Sequence, residues 1–354
     1  MTNDPVATAR GSDTMTMIKW WTMLHIHNGD STAGTARKAD LPGEHLAWRE
    51  ALVCGPTPSG VSDDAFRQLR AIHLSDAYGL RVEDSAKDLR EQQEALAQFV
   101  DQEEVVLWFE HDLFCQVHLI YLLNWFSQSE PGKTTLSLIC IDSFPGIEDF
   151  HGLGQLNEDQ LASLFPQRRA ISSAQLNLGS KAWQAYSSSD PSQIENLLTE
   201  DTTALPFLKA ALFKHLQRFP SVRNGLGRDA SLCVELVADG QAEFKALFPE
   251  FGKREPLYGF GDAQVVLELK RLGEATNPLL TMNNNGNLSP IDSDKFLSAS
   301  FQITDHGTAV LYGDEDFVKL NGIDLWLGGV HLQGNEAAWR WDEDHQRLID
   351  STLV

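Results

Sequence analysis

Two segments, "VVLWFE" at 105–110 and "LSLICID" at 136–142, are almost unbroken runs of apolar residues. A strand with one wet face alternates apolar with polar positions, so runs of this kind belong to strands covered on both faces. Helices that cross over between parallel strands supply that cover. The chain holds the rest of the pattern. Strand-like stretches at Leu24–His27 and Glu44–Leu52 come first, and helical periodicity over Thr32–Ala39, Asp64–Ser75, Glu83–Val100 and Leu113–Phe126 separates the strands. The expectation is an α/β fold built on a parallel sheet.

This pattern places a Rossmann-like α/β domain at 23–150. A helical connector follows at 151–204, with one helix capped near Asn157 and others around Ser173–Ser187 and Pro191–Leu198. Residues 205–354 read as a mainly helical, winged-helix-like domain. In it "LPFLKAALFKHLQRFPS" and "GRDASLCVELVADG" form two helices, and "GDAQVVLELKRLGE" a third, with Asp262 as its expected N-cap. "NNNGNLSPIDS" reads as a polar loop, and "FLSASFQITDHGTAVLYG" as a strand leading into a helix or a strand, with a turn at "DHG". The end, "IDLWLGGVHLQGNEAAWRWDED", reads as a β-hairpin. Residues 1–22 are polar, lack the apolar stretch of a secretory signal, and are expected to be a disordered extension.

Composition narrows the partners. The 354 residues carry a net charge of −22, which repels nucleic acid and anionic membranes. Only 205–260, with 8 basic against 6 acidic residues, escapes the acidity. No run of 18 apolar residues exists to span a membrane. Cys54, Cys115, Cys140 and Cys233 have no paired spacing, which fits reduced thiols in a cytoplasm better than a disulfide frame or zinc site. Oligomeric state is not legible.

The chemistry gathers at the ends of the four strands, where ligands bind in open parallel sheets. The first end offers His27, Asn28, Gly29, Asp30 and Ser31, and the second Arg49 and Glu50. The third offers Glu110, His111, Asp112 and Gln116, and the fourth Asp142. Asn28, Gly29 and Ser31 before a helix suit an anion such as phosphate. Asp30, Glu110, His111 and Asp112 are candidate acids, bases or ligands of a divalent cation, and Arg49 is a candidate charge clamp. A plainer reading has Asp30 or Ser31 capping one helix, Asp112 capping the next, and Glu110 paired with Arg49. His25 and His27 share a strand face and read as a packed or hydrogen-bonded pair rather than a metal site. No three-glycine fingerprint or Walker lysine is present. "GDS" with Asp342 and His345 invites comparison with Gly-Asp-Ser esterases, but no Gly-x-Asn-Asp block is present to build their oxyanion hole.

"HIHNGDS", "LPGEHLAWREAL", "WFEHDLFCQVHL", "FHGLGQL", "LPFLKAALFKHLQRFPS" and "WLGGVHL" together resemble bacterial proteins of the domain-of-unknown-function family 1835. The resemblance runs from about residue 23 to 342 and implies a cytosolic bacterial protein without implying an activity. The chain departs from the family pattern before the "WLGG" tryptophan, where it has Leu325 in place of the family's arginine. Residues 205–240 are similar to helix-turn-helix modules, and "FQITDHGTAVLYG" to a wing. The would-be recognition helix carries acids and no cation after Arg228, which argues against DNA. The expectation is an enzyme, hydrolase or transferase, acting on a small phosphorylated or nucleotide-like molecule. The alternative is a ligand-sensing regulator or interaction module.

Overall fold

The computed structural model describes residues 22–130, 132–283 and 296–351. The expected disordered extension and polar loop fall outside them, apart from Thr22 and Asn283. The chain forms a mixed α/β fold around one five-stranded sheet, in the order β2-β1-β3-β4-β5. β1 (Met23–His27), β2 (Glu44–Ala47), β3 (Glu104–Glu110) and β4 (Thr135–Ile141) are parallel. β5 (Arg169–Ala170) is a two-residue antiparallel edge that nothing in the sequence announced.

β3 lies at the centre with all seven residues buried, as its apolar run requires. Its side chains alternate between two cores. Val105, Leu107 and Phe109 join Leu24 and Ile26 on one face, whereas Val106 and Trp108 join Met23 and Ile139 on the other. The second face is covered by α1 (Asp30–Lys38) and α5 (Glu158–Leu164). The first is covered by α4 (Leu113–Ser127), which is buried nearly all round because α6 (Ser173–Tyr186) packs on its far side. Outside this layer lie α2 (Asp63–Tyr78) and α3 (Val82–Ala97).

β2 is shorter than the Glu44–Leu52 expectation. It ends at Ala47: Trp48 N–H makes the last bond to β1, at His27 O, and Arg49 N–H then turns off the sheet to donate to the Gln92 side chain of α3. The later half also departs from the sequence reading in two places. Asp262 is the first helical residue of α11 (Asp262–Gly273), and Gly261 is the N-cap. Of the two alternatives after the Phe301–Ile303 strand the helix is the one that forms, over Asp305–Tyr312, with the Thr304 side chain capping Gly307 N–H. The single terminal hairpin is two, Ile323–Leu327 with Val330–Gly334 and Trp339–Asp342 with Arg347–Asp350.

One apolar cluster runs from Leu24 to Leu348 and ties the later helices to the sheet domain. Arg218 crosses between them, donating to Val53 O at 2.6 Å and pairing with buried Asp229 at 2.9 Å. α8 (Leu208–Leu216) and α9 (Arg228–Ala238) are part of this core. Of α9 only Ala238 is exposed, with Arg228, Ser231 and Glu235 half-buried. No helix among the described residues is long and apolar enough to cross a membrane.

Candidate active site

The carboxyl end of β3 delivers Glu110 into the interior, and Asp112 caps α4 by accepting from Cys115 N–H at 2.8 Å. The cap turns the Cys115 side chain back toward the strand end, where its thiol donates to Glu110 Oε2. Glu110 Oε1 accepts from Leu153 N–H at 2.6 Å. From β1 comes Asn28, whose amide donates to Cys115 Sγ at 2.7 Å and accepts from His118 Nδ1 at 2.9 Å. Leu52 N–H donates to His118 Nε2 at 3.2 Å, which fixes the proton of this ring on Nδ1. A continuous string of bonds thus runs from Leu52 through His118, Asn28 and Cys115 to Glu110.

Asp112 and Glu110 are both buried, and among the described residues neither has an arginine or lysine partner. Two buried carboxyls without a cation cannot both hold their charge cheaply. Burial first, and the Asp112 charge second, push Glu110 from 4.5 up to about 7. Burial also raises Asp112, and lifts the Cys115 thiol well above its ordinary range. His118 is held down to about 3 by burial. Ligand atoms of Glu110, Asp112 and Cys115 lie within 4.8 Å of one another, so this trio could hold a divalent cation once deprotonated.

The raised Glu110 has a direct consequence for stability. Between 4.5 and about 7 the folded chain keeps a proton that the unfolded chain releases, so stability falls as pH rises through that window. Glu110→Gln has no such proton to lose. In urea unfolding at a series of pH values, the variant is expected to gain on the wild type from pH 4.5 to 7. A gap that stays constant across this range would contradict the raised carboxyl.

Two loops close over the acids. Residues 151–155 lie against both strand ends: a Cβ on Gly152 would sit 3.0 Å from Glu110 Oε1, and one on Gly154 would sit 3.3 Å from Ser31 Oγ. Gly259 covers Asp112. Its φ of +62° is the left-handed region, and a methyl there would overlap the Asp112 carboxyl. Beside Gly259 opens a groove of about 490 Å³ lined by Phe248, Phe251, Phe260, His151, Gln155 and Lys253. Gly259→Ala is expected to cost about 2–4 kcal/mol of stability by thermal or urea unfolding, from strain and overlap together. A loss below about 0.5 kcal/mol would show that this contact is loose.

The strand ends thus bring Asn28, Glu110, Asp112 and Gln116 together, and several other expected residues are turned to different work. The Asn28 amide is committed at both ends, so it positions Cys115 and is not free to hold an anion. Gln116 donates to Glu110 O at 2.7 Å and secures the strand end. Arg49 pairs with Asp30 through two bonds of 2.6 and 2.7 Å, not with Glu110, and both side chains are more than half exposed. Glu50 leaves the crevice altogether, because Arg70 of α2 claims it at 2.7 Å in the interior. His111 turns toward Phe207, with its Nδ1 buried and unpartnered. His27 points into the core beneath α1 and α5, stacked on Trp108 one strand position before the site, and does not reach the crevice. Asp142 is exposed and accepts from Ser143 at 2.9 Å. Gly29, with φ +96° and open space where a Cβ would stand, and exposed Ser31 remain at the mouth.

Sequence reasoning missed Cys115, His118, the Leu153 N–H and Gly259. A signal existed for the first two: Cys115 and His118 stand three and six residues after the cap, on the side of α4 that faces the strand end. No family model and no curated protein compared with the chain matches it.

Proposed function

We propose that the crevice at the β1 and β3 ends is the active site of an enzyme acting on a small nucleotide-like molecule. Glu110 and Asp112 share the roles of proton donor and acceptor. The observation that carries this reading is the carboxyl pair itself, buried side by side with no arginine or lysine partner among the described residues and with burial raising both acids, since folding alone gains nothing from it. General acid–base chemistry wants a carboxyl poised near the working pH, and Glu110 at about 7 is so poised. The neighbouring aromatic groove suits a planar ring, with His151, Gln155 and Lys253 to hold its polar edge. Gly29, Ser31 and the open start of α1 suit the phosphate end, and the 151–155 loop touches both regions. A divalent cation would be held by Glu110 and Asp112 with Cys115, and would neutralise the charge these acids otherwise avoid.

The parallel order of β2, β1, β3 and β4 supports a Rossmann-like reading of the sheet. The paired helices α8 and α9 are the support for a helix-turn-helix likeness in residues 205–240, and the wing has none, because "DHG" opens a helix. Membership of the 1835 family, and with it a bacterial cytosolic setting, rests on the motifs quoted above. The regulator reading is the weaker of the two, because α9 is buried. The test is turnover of adenosine and guanosine mono-, di- and triphosphates, with and without Mg²⁺, by the full chain. Hydrolysis or group transfer that Gly259→Ala impairs is the expected result, and no turnover or thermal shift with any of them would overturn the proposal.

A further inference from the structure

On the sheet face covered by α1 and α5, toward β2, three imidazoles stand where a core normally places Val, Ile or Leu. His25 and His27 come from β1 and His45 from β2, and the parallel register sets His25 directly beside His45. His25 and His27 are fully buried and His45 half-buried. The rings stack, with centroids 4.6 Å apart for His25 and His45 and 5.2 Å for His27 and His45.

We propose that His25, His27 and His45 form a binding site for a divalent transition ion of the zinc and cobalt type. The hydrogen bonds on the far side of two rings carry the argument. His25 Nε2 donates to Pro42 O at 2.9 Å, and His45 Nε2 donates to Leu41 O at 3.1 Å. Both carbonyls belong to the Leu41-Pro42-Gly43 turn, which is pressed onto β1 so closely that a Cβ on Gly43 would stand 2.5 Å from Met23 O. With each Nε2 carrying the proton, each Nδ1 presents a lone pair. Ligating histidines are held in this way, the outer N–H on a backbone carbonyl and the inner nitrogen aimed at the metal. His27 supplies the third donor, its Nε2 lying 3.0 Å from His45 Nδ1.

One nitrogen of each ring lies within 4.8 Å of the others. A tetrahedral ion with bonds of about 2.1 Å needs its ligands roughly 3.4 Å apart, so small ring rotations close the site. Ligation requires His27 to change tautomer: the proton that its Nε2 now donates to His45 Nδ1 moves to His27 Nδ1, which is buried and has no other partner, and the ion takes its place between the two rings. The lone pair of His25 Nδ1 is held by Trp108 Nε1–H at 3.0 Å, and binding releases that indole. Burial keeps His25 at about 4 and His27 at about 2, so both are in the neutral, ligating form at neutral pH. Arg37 and Arg168 are the nearby cations and Glu104 the nearby acid. A fourth position toward half-buried His45 is left to water. Held there, the ion would staple the edge strand β2 to β1, independently of the chemistry at Glu110 and Asp112.

The test is Co²⁺ titration of the untagged, chelator-treated full chain, followed by visible absorption and tryptophan fluorescence. One equivalent should give the strong visible bands of a four-coordinate nitrogen site, without a sulfur-to-cobalt charge-transfer band, and should alter the fluorescence. The spectrum should persist in Cys115→Ser and be lost in His45→Leu. Should His45→Leu fail to fold, the wild type and Cys115→Ser decide alone. Absence of stoichiometric binding in the wild type, or a charge-transfer band that Cys115→Ser removes, would overturn the proposal. The second result would place the ion with Glu110 and Asp112 instead.

Discussion

Asp112→Asn is expected to leave the melting temperature within a few degrees of the wild type and to lower nucleotide turnover by about 10²–10⁴-fold. Asparagine caps a helix about as well as aspartate, so the bond from Cys115 N–H survives, and the side chain fills the same space beneath Gly259. What is lost is the carboxyl as a proton carrier and cation ligand. Losing a buried charge that has no cation also removes a cost, so the variant should be no less stable than the wild type above pH 7. Circular dichroism melts and turnover assays on the same samples separate the roles. Equal turnover in both proteins would return Asp112 to the role of a helix cap.

Arg70→Met is expected to give the largest loss of stability, about 3–5 kcal/mol. Arg70 and Glu50 have side chains only 0% and 4% exposed, and the guanidinium also donates to Ala51, Cys54 and Pro56 carbonyls. Methionine replaces the stem and strands Glu50 as a lone buried carboxylate. At this chain length the loss should appear as a fall in melting temperature of about 5–10 °C. Adding Glu50→Gln to the same chain should recover part of it, because the unpaired charge is then gone. A fall below 2 °C in the single variant, or no recovery in the double, would show that the pair is not what holds α2 to the strand end.

The four parallel strands were legible because "VVLWFE" and "LSLICID" can be satisfied only by cover on both faces, and the helices between them follow. The acids at the β3 end were legible for the same reason, since a strand buried to its last residue delivers whatever follows it into the crevice. Partner choice was not. The plainer reading puts Arg49 on Glu110, but Glu110 turns inward to Cys115 and Leu153 N–H and Arg49 pairs with Asp30 at the surface. Glu50 looked like a crevice residue until α2, some twenty positions on, brought Arg70 beneath it. β5 has two residues and no periodicity to detect. Gly259 lies about 150 residues from Asp112 in sequence, and its role is a packing contact that no local pattern encodes. The His45 partner of His25 required the β1–β2 register, which periodicity alone does not fix.

Native mass spectrometry of the full chain as purified tests the central claim most directly, because a crevice built to hold a nucleotide-like molecule should carry one from the cell. The expected result is a bound mass of mononucleotide to dinucleotide size on the wild type, lost from Asp112→Asn. The bare chain mass for both proteins, with no mass gained when adenosine and guanosine nucleotides are added, would contradict the account.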